Sequence, residues 1–90
     1  MLIDTRYFDA FPEGWFKLPP SERTKATLRF DPVTLNSEYI GYFRRYVLSD
    51  GIELCDVHMV DHGHTFRIDM TYEELRALLH KTKGAPTGAP

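Results

Sequence analysis

Asp50-Gly51 constrains this chain more than any other pair of residues, because it separates two runs that read as strands. Residues 39–48 and 52–60 are rich in aromatic and β-branched side chains, the composition of a pleated, half-buried surface. Asp-Gly between such runs predicts a tight hairpin, since a type I′ turn needs φ > 0 at both central positions. A two-residue loop pairs Leu48 with Glu53, Tyr46 with Cys55, Arg44 with Val57 and Tyr42 with Met59. On the opposite face it pairs Val47 with Leu54, Arg45 with Asp56, and Phe43 with His58.

A second hairpin follows from Asp61-His62-Gly63-His64. With His62-Gly63 as its loop, Val60 faces Thr65, Met59 faces Phe66, His58 faces Arg67 and Val57 faces Ile68. Histidine enters the left-handed region more readily than most residues. The two turns together place Ile40, Tyr42, Tyr46, Cys55, Val57, Met59, Phe66, Ile68 and Met70 on one face. A one-residue slip would move a strand's whole apolar set to the other side.

The third strand runs into a helix start. Thr71 and Glu74 have the spacing of a capping box, in which each side chain accepts from the other's backbone N–H, and Met70 with Leu75 makes a hydrophobic staple. The helix is expected over residues 72–81, with Tyr72, Leu75, Leu78 and Leu79 as its buried stripe. Lys81 and Lys83 suit its negative end, and Gly84 suits its stop. In the N-terminal half, residues 25–31 alternate as a strand that Pro32 should end. Residues 2–8 offer another short strand. Between them lies an irregular stretch with Phe11, Trp15 and Phe16 among prolines. The expected fold is α+β: a three- to four-stranded antiparallel sheet, a meander of two hairpins, with the C-terminal helix packed on one face. Residues 1–82 form the expected single domain, and the Gly/Ala/Pro stretch 83–90 reads as a disordered tail.

Eleven basic against thirteen acidic residues leave a formal net charge of -2, which excludes a strongly basic nucleic-acid binder. One cysteine rules out an intrachain disulfide. No apolar run is long enough to span a bilayer, and the N-terminal residues lack a signal-peptide h-region. A cytoplasmic protein with no membrane partner is the expectation.

The residues of types that carry chemistry read more plainly as structure. His58, Asp61, His62 and His64 approach metal-ligand density, but the register separates His58 from His64, so they read as hairpin-tip decoration and no metal is expected. Cys55 points inward, where a thiol is an inert small hydrophobe. Glu73 and Glu74 suit a helix start, and Asp56 and Asp69 have Arg45 and Arg67 as neighbours. No phosphate loop, nucleophile elbow or zinc motif occurs. Neither an enzyme nor a cofactor is expected.

The outer sheet face is the informative anomaly. Phe43, Val47, Ile52, Leu54 and Val60 surround a polar belt there, too apolar a set for a face left in water. Either residues 8–20 cover it or another chain does. The leading expectation is a small non-catalytic protein-binding module: a regulator, inhibitor or assembly subunit, of bacterial or phage type. It would act through Phe43, Arg45, Leu54, Asp56, His58 and Arg67, on another protein or on a second copy of itself. The alternative is single-stranded nucleic-acid binding through Tyr39, Phe43, Arg44 and Arg45, which interleave aromatic rings with guanidinium groups.

Overall fold

The computed structural model describes residues 1–84. It contains five strands, β1 (Leu2–Ala10), β2 (Arg29–Asn36), β3 (Ile40–Val47), β4 (Glu53–Met59) and β5 (Thr65–Ile68), followed by one helix, α1 (Tyr72–Gly84). All pair antiparallel in one sheet of order β2-β1-β5-β4-β3. The expected α+β architecture is present with one more strand than the upper expectation. Lys83 and Gly84 belong to α1; the rest of the expected tail, residues 85–90, lies outside the described residues.

The β3–β4 turn is one residue longer than expected. Leu48 N–H donates to Ile52 O at 2.8 Å, Gly51 N–H donates to Leu48 O at 2.8 Å, and Gly51 has φ 82°. Ser49-Asp50-Gly51 is therefore a three-residue loop with glycine in the left-handed position, the next commonest hairpin geometry. Val47 then pairs with Glu53, Tyr46 with Leu54, Arg45 with Cys55, Arg44 with Asp56 and Phe43 with Val57. This one-residue shift turns β3 over: Phe43 faces the helix, while Tyr42 and Tyr46 face away. The second turn differs by two, pairing Val57 with Phe66 and Cys55 with Ile68. An even shift preserves the faces, so Phe66 and Ile68 stay on the helix side as expected.

Residues 25–31 are not one strand. Lys25–Thr27 is a single 3-10 turn, and β2 begins at Arg29 and runs through Pro32. The edge position makes that proline harmless. Ser37 N–H donates to Met1 O at 2.9 Å, so by antiparallel alternation the odd-numbered β2 residues bond to β1. Pro32, opposite Arg6, sits in a non-bonded pair, and its missing N–H removes no ladder bond.

At the other end of the chain Thr71 caps α1 as expected. Glu74 N–H donates to Thr71 Oγ1 at 3.1 Å, and Thr71 N–H donates to Glu74 Oε1 at 2.8 Å. The Glu53 carboxylate adds a second cap by accepting from Tyr72 N–H at 3.0 Å. Leu75 is fully buried against Ile3, Leu35, Cys55, Val57, Met59 and Ile68, with Phe43, Met70, Leu78 and Leu79 around them. No helix among the described residues is long and apolar enough to cross a membrane.

The outer face carries a second core. Trp15, Leu28, Leu48 and Leu54 are buried together, edged by Phe8, Phe11, Phe30, Tyr46 and Ile52. The irregular segment between β1 and β2 thus crosses the sheet from Phe8 and Phe30 to Tyr46 and Leu48. Trp15 Nε1 donates to Thr27 Oγ1 at 2.9 Å, which satisfies the one polar atom of the buried indole. Arg23 fastens the segment to the β3–β4 turn: its Nε lies 3.2 Å from Asp50 Oδ1, close enough to pair but out of line for a hydrogen bond.

Candidate functional site

The six residues expected to meet a partner are divided by the observed register. Phe43 lies on the helix face, its ring 5.2 Å from that of Tyr72. Arg45 is on the same side, 3.1 Å from Glu53 and 3.8 Å from Glu73, with its guanidinium 5.5 Å from the Tyr72 ring. Leu54 has no exposed surface, because Trp15 and its neighbours cover it. The expected Arg45–Asp56 pair does not form, since β3 has turned over. Asp56 is 5% exposed and accepts instead from Arg67 Nε at 2.8 Å and Nη2 at 3.3 Å. The Arg67 guanidinium also lies 3.5 Å from the Tyr46 ring centroid. That hydrogen-bonded carboxylate holds the Arg67 pKa above its ordinary value.

Of the six, His58 stands at an open corner of the outer face. Its ring stacks on Tyr42 at 4.9 Å with the planes 13° apart, and its Nδ1 is 3.1 Å from Thr65 Oγ1. Tyr39 and Arg44 of the nucleic-acid set are exposed, but Phe43 and Arg45 of that set occupy the other face. The four therefore do not make one platform.

The remaining chemical candidates do not converge on one point. His62 and His64 meet edge to face at 4.8 Å beside Phe66, and Asp61 lies 3.4 Å from His62. His64 N–H donates to His62 Nδ1 at 3.3 Å, occupying one of that ring's nitrogens. Among the described residues, no three His, Cys, Asp or Glu side chains are grouped to hold a metal ion. Cys55 is buried, and burial, with the Asp56 charge beside it, pushes its thiol up to about 11. A thiol held protonated is a poor nucleophile.

The open corner was visible in the sequence through a signal the hairpin argument passes over. Gly41 inside a strand marks a bulge, and the β3–β4 register does shift between Ile40 and Tyr42. A Cβ on Gly41 would lie 2.5 Å from Val60 Cγ1, so the Val60 side chain sits where only glycine leaves room. Val60 N–H donates to Tyr39 O at 2.8 Å. Tyr39, Tyr42 and Val60 are thereby gathered around Gly41, at 45%, 52% and 58% exposure.

This corner adjoins the free edge of β3. The Leu48–Ile52 bond fixes the even-numbered residues of β3 as those bonded to β4. The backbone N–H and C=O groups of Phe43, Arg45 and Val47 therefore point away from the sheet. Arg44, at the middle of the strand on the outer face, is exposed and has no ion pair among the described residues. Comparison with protein-family models, with curated proteins and with solved structures finds no match for this chain.

Proposed function

We propose that this protein is a small non-catalytic binding module that takes up an extended segment of another protein along the free edge of β3. The observation that supports this reading is the contrast between the sheet's two edges. An unpaired edge is a template for further pairing, which proteins ordinarily blunt with proline, short strands, cover, charged side chains or bulges; of these β3 carries only the bulge at Gly41 and its two arginines. β2 carries Pro32 with its nitrogen turned outward. β3 has eight residues, no proline and an exposed flank of Tyr39, Tyr42, Val47 and Val60. Strand addition uses such an edge for backbone hydrogen bonds, and side-chain neighbours for selectivity.

The reading extends to a cytoplasmic regulator, inhibitor or assembly subunit of bacterial or phage type. Single-stranded nucleic acid is the second reading. Tyr42 stacked on His58 beside the unpaired Arg44 favours it, but one free guanidinium supplies little phosphate neutralisation.

Val47→Pro tests the first reading, because Val47 N–H points outward and its removal spares the β3–β4 ladder. Immobilised wild-type chain should retain a partner from nuclease-treated source extract, and Val47→Pro should retain none while melting at nearly the same temperature. Retention that requires nucleic acid and falls steeply with salt would replace the edge reading with the second one.

A further inference from the structure

We infer that the segment received by β3 is acidic at the position that faces Arg44. The inference depends on the edge reading above and adds the chemistry of the occupant. A strand laid along β3 places one residue directly beside Arg44 on the outer face, at cross-strand contact distance. Arg44 brings an unneutralised charge there, because the neighbouring carboxylate, Asp56, is committed to Arg67. Arg45 makes no matching demand on the helix face, being held by Glu53 and Glu73. The exposed Glu38 stands just before the strand in the turn Ser37–Tyr39, so the partner's acid belongs opposite the middle of β3 and not opposite its start. Two residues from that acid, on the same face, the partner meets the exposed ring of Tyr42 and the Val60 side chain, which suits an apolar or aromatic residue. The recognised pattern is an acid and an apolar residue in alternate positions of an extended segment.

A second copy of the chain fits this edge less well. Antiparallel pairing centred on Arg44 or on Arg45 would set guanidinium directly against guanidinium, which destabilises a ladder.

The test uses short synthetic peptides of alternating Thr and Val, fluorescently labelled, with Glu, Gln or Lys at the central position. Titrated against the whole protein, the Glu peptide should bind about fivefold or more tightly than the Lys peptide, with Gln between them. Arg44→Glu should invert that order, and Arg29→Glu on the opposite edge should leave it unchanged. Methylating the peptide's edge-facing backbone nitrogens should abolish binding without any change to the protein. Binding that ignores the central charge but is lost on methylation would overturn the acidic preference and leave the edge reading standing. If no peptide binds and the chain sediments as a dimer that Val47→Pro dissociates, the occupant is a second copy and the acidic segment is excluded. No binding, together with no association sensitive to Val47→Pro, would overturn both.

Discussion

Leu54 and His58 are on the same strand and the same sheet face, four residues apart, yet their surroundings are opposite. Leu54 lies beneath Trp15 with none of its surface in water, whereas His58 stacks on a tyrosine that is itself half exposed. The strands do not cause the difference, since β3 and β4 supply both ends. It comes from the segment between β1 and β2, whose aromatic residues seal a diagonal of the face and stop short of the Tyr42 corner. An apolar sheet face thus signals that something covers it, and the reach of the local chain decides how much remains for a partner.

The strongest way to break this comparison is at its sealed end. Leu54→Ala should lower stability by about 2–5 kcal/mol, the usual range for a large aliphatic residue truncated in a core. Denaturant midpoints measure it directly. A midpoint close to wild type would mean that Trp15 does not close over β4.

Cys55, the next residue, sharpens the comparison from the other side of the same strand. With its thiol raised to about 11 from an ordinary 9.0, the folded chain keeps a proton there that the unfolded chain has released. Stability should therefore fall as pH rises from about 9 towards 11, because the unfolded state binds fewer protons in that window. The difference from Cys55→Ala isolates the contribution of this residue. A thiol-specific reagent should modify Cys55 at the rate of global unfolding; fast modification of the native protein would show the helix-side face of β4 open to solvent.

Helix α1, which covers the helix-side face, provides a smaller and independent reference. Thr71→Ala should destabilise by roughly 1 kcal/mol through loss of the N-cap acceptor. Glu53 keeps its own bond to Tyr72 N–H and remains ionised to a lower pH than an ordinary glutamate, chiefly because of that bond, with Arg45 assisting. Its help to the helix start is present above pH 4.5 and disappears as pH falls through the lowered value. Acid should thus narrow the gap between wild type and Glu53→Gln, as read from melts at neutral and low pH.

The sequence makes the helix start, the positions of the two turns and the faces of β4 and β5 legible, because each follows from local chemistry: a capping box, glycines after polar residues, strict alternation; the loop lengths differ from expectation at both turns. The face of β3 was not legible from the Asp-Gly pair alone. Two- and three-residue loops both place glycine at Gly51, and choosing between them inverts every β3 side chain. Burying Phe43 in preference to Tyr42 was the available arbiter, since tyrosine tolerates a wet surface better. β2 departs from its expected bounds for a different reason: proline ends an inner strand, but whether a strand is at the edge is a property of the whole sheet. The site suffered accordingly. Phe43, Arg45 and Leu54 were drawn from faces that the observed register buries or pairs, while Gly41, Tyr42 and Val60 needed the bulge to be recognised.

The smallest stability effect is expected at the open end, and there it carries the most meaning. Tyr42 is 52% exposed, and the ring it stacks on, His58, also reaches Thr65. Tyr42→Ala should change the unfolding free energy by no more than about 0.5 kcal/mol, as for surface substitutions clear of core, caps and buried pairs. A tyrosine at the centre of an interface behaves otherwise, since truncating such an anchor commonly costs more than about 1 kcal/mol of binding. Tyr42→Ala should therefore leave the melting temperature nearly unchanged and weaken capture of the acidic peptide severalfold, the inverse of Leu54→Ala, which should lose stability first. Equal losses of stability in the two variants would show that the Tyr42 corner belongs to the core, and the distinction between a sealed and an open end of this face would disappear.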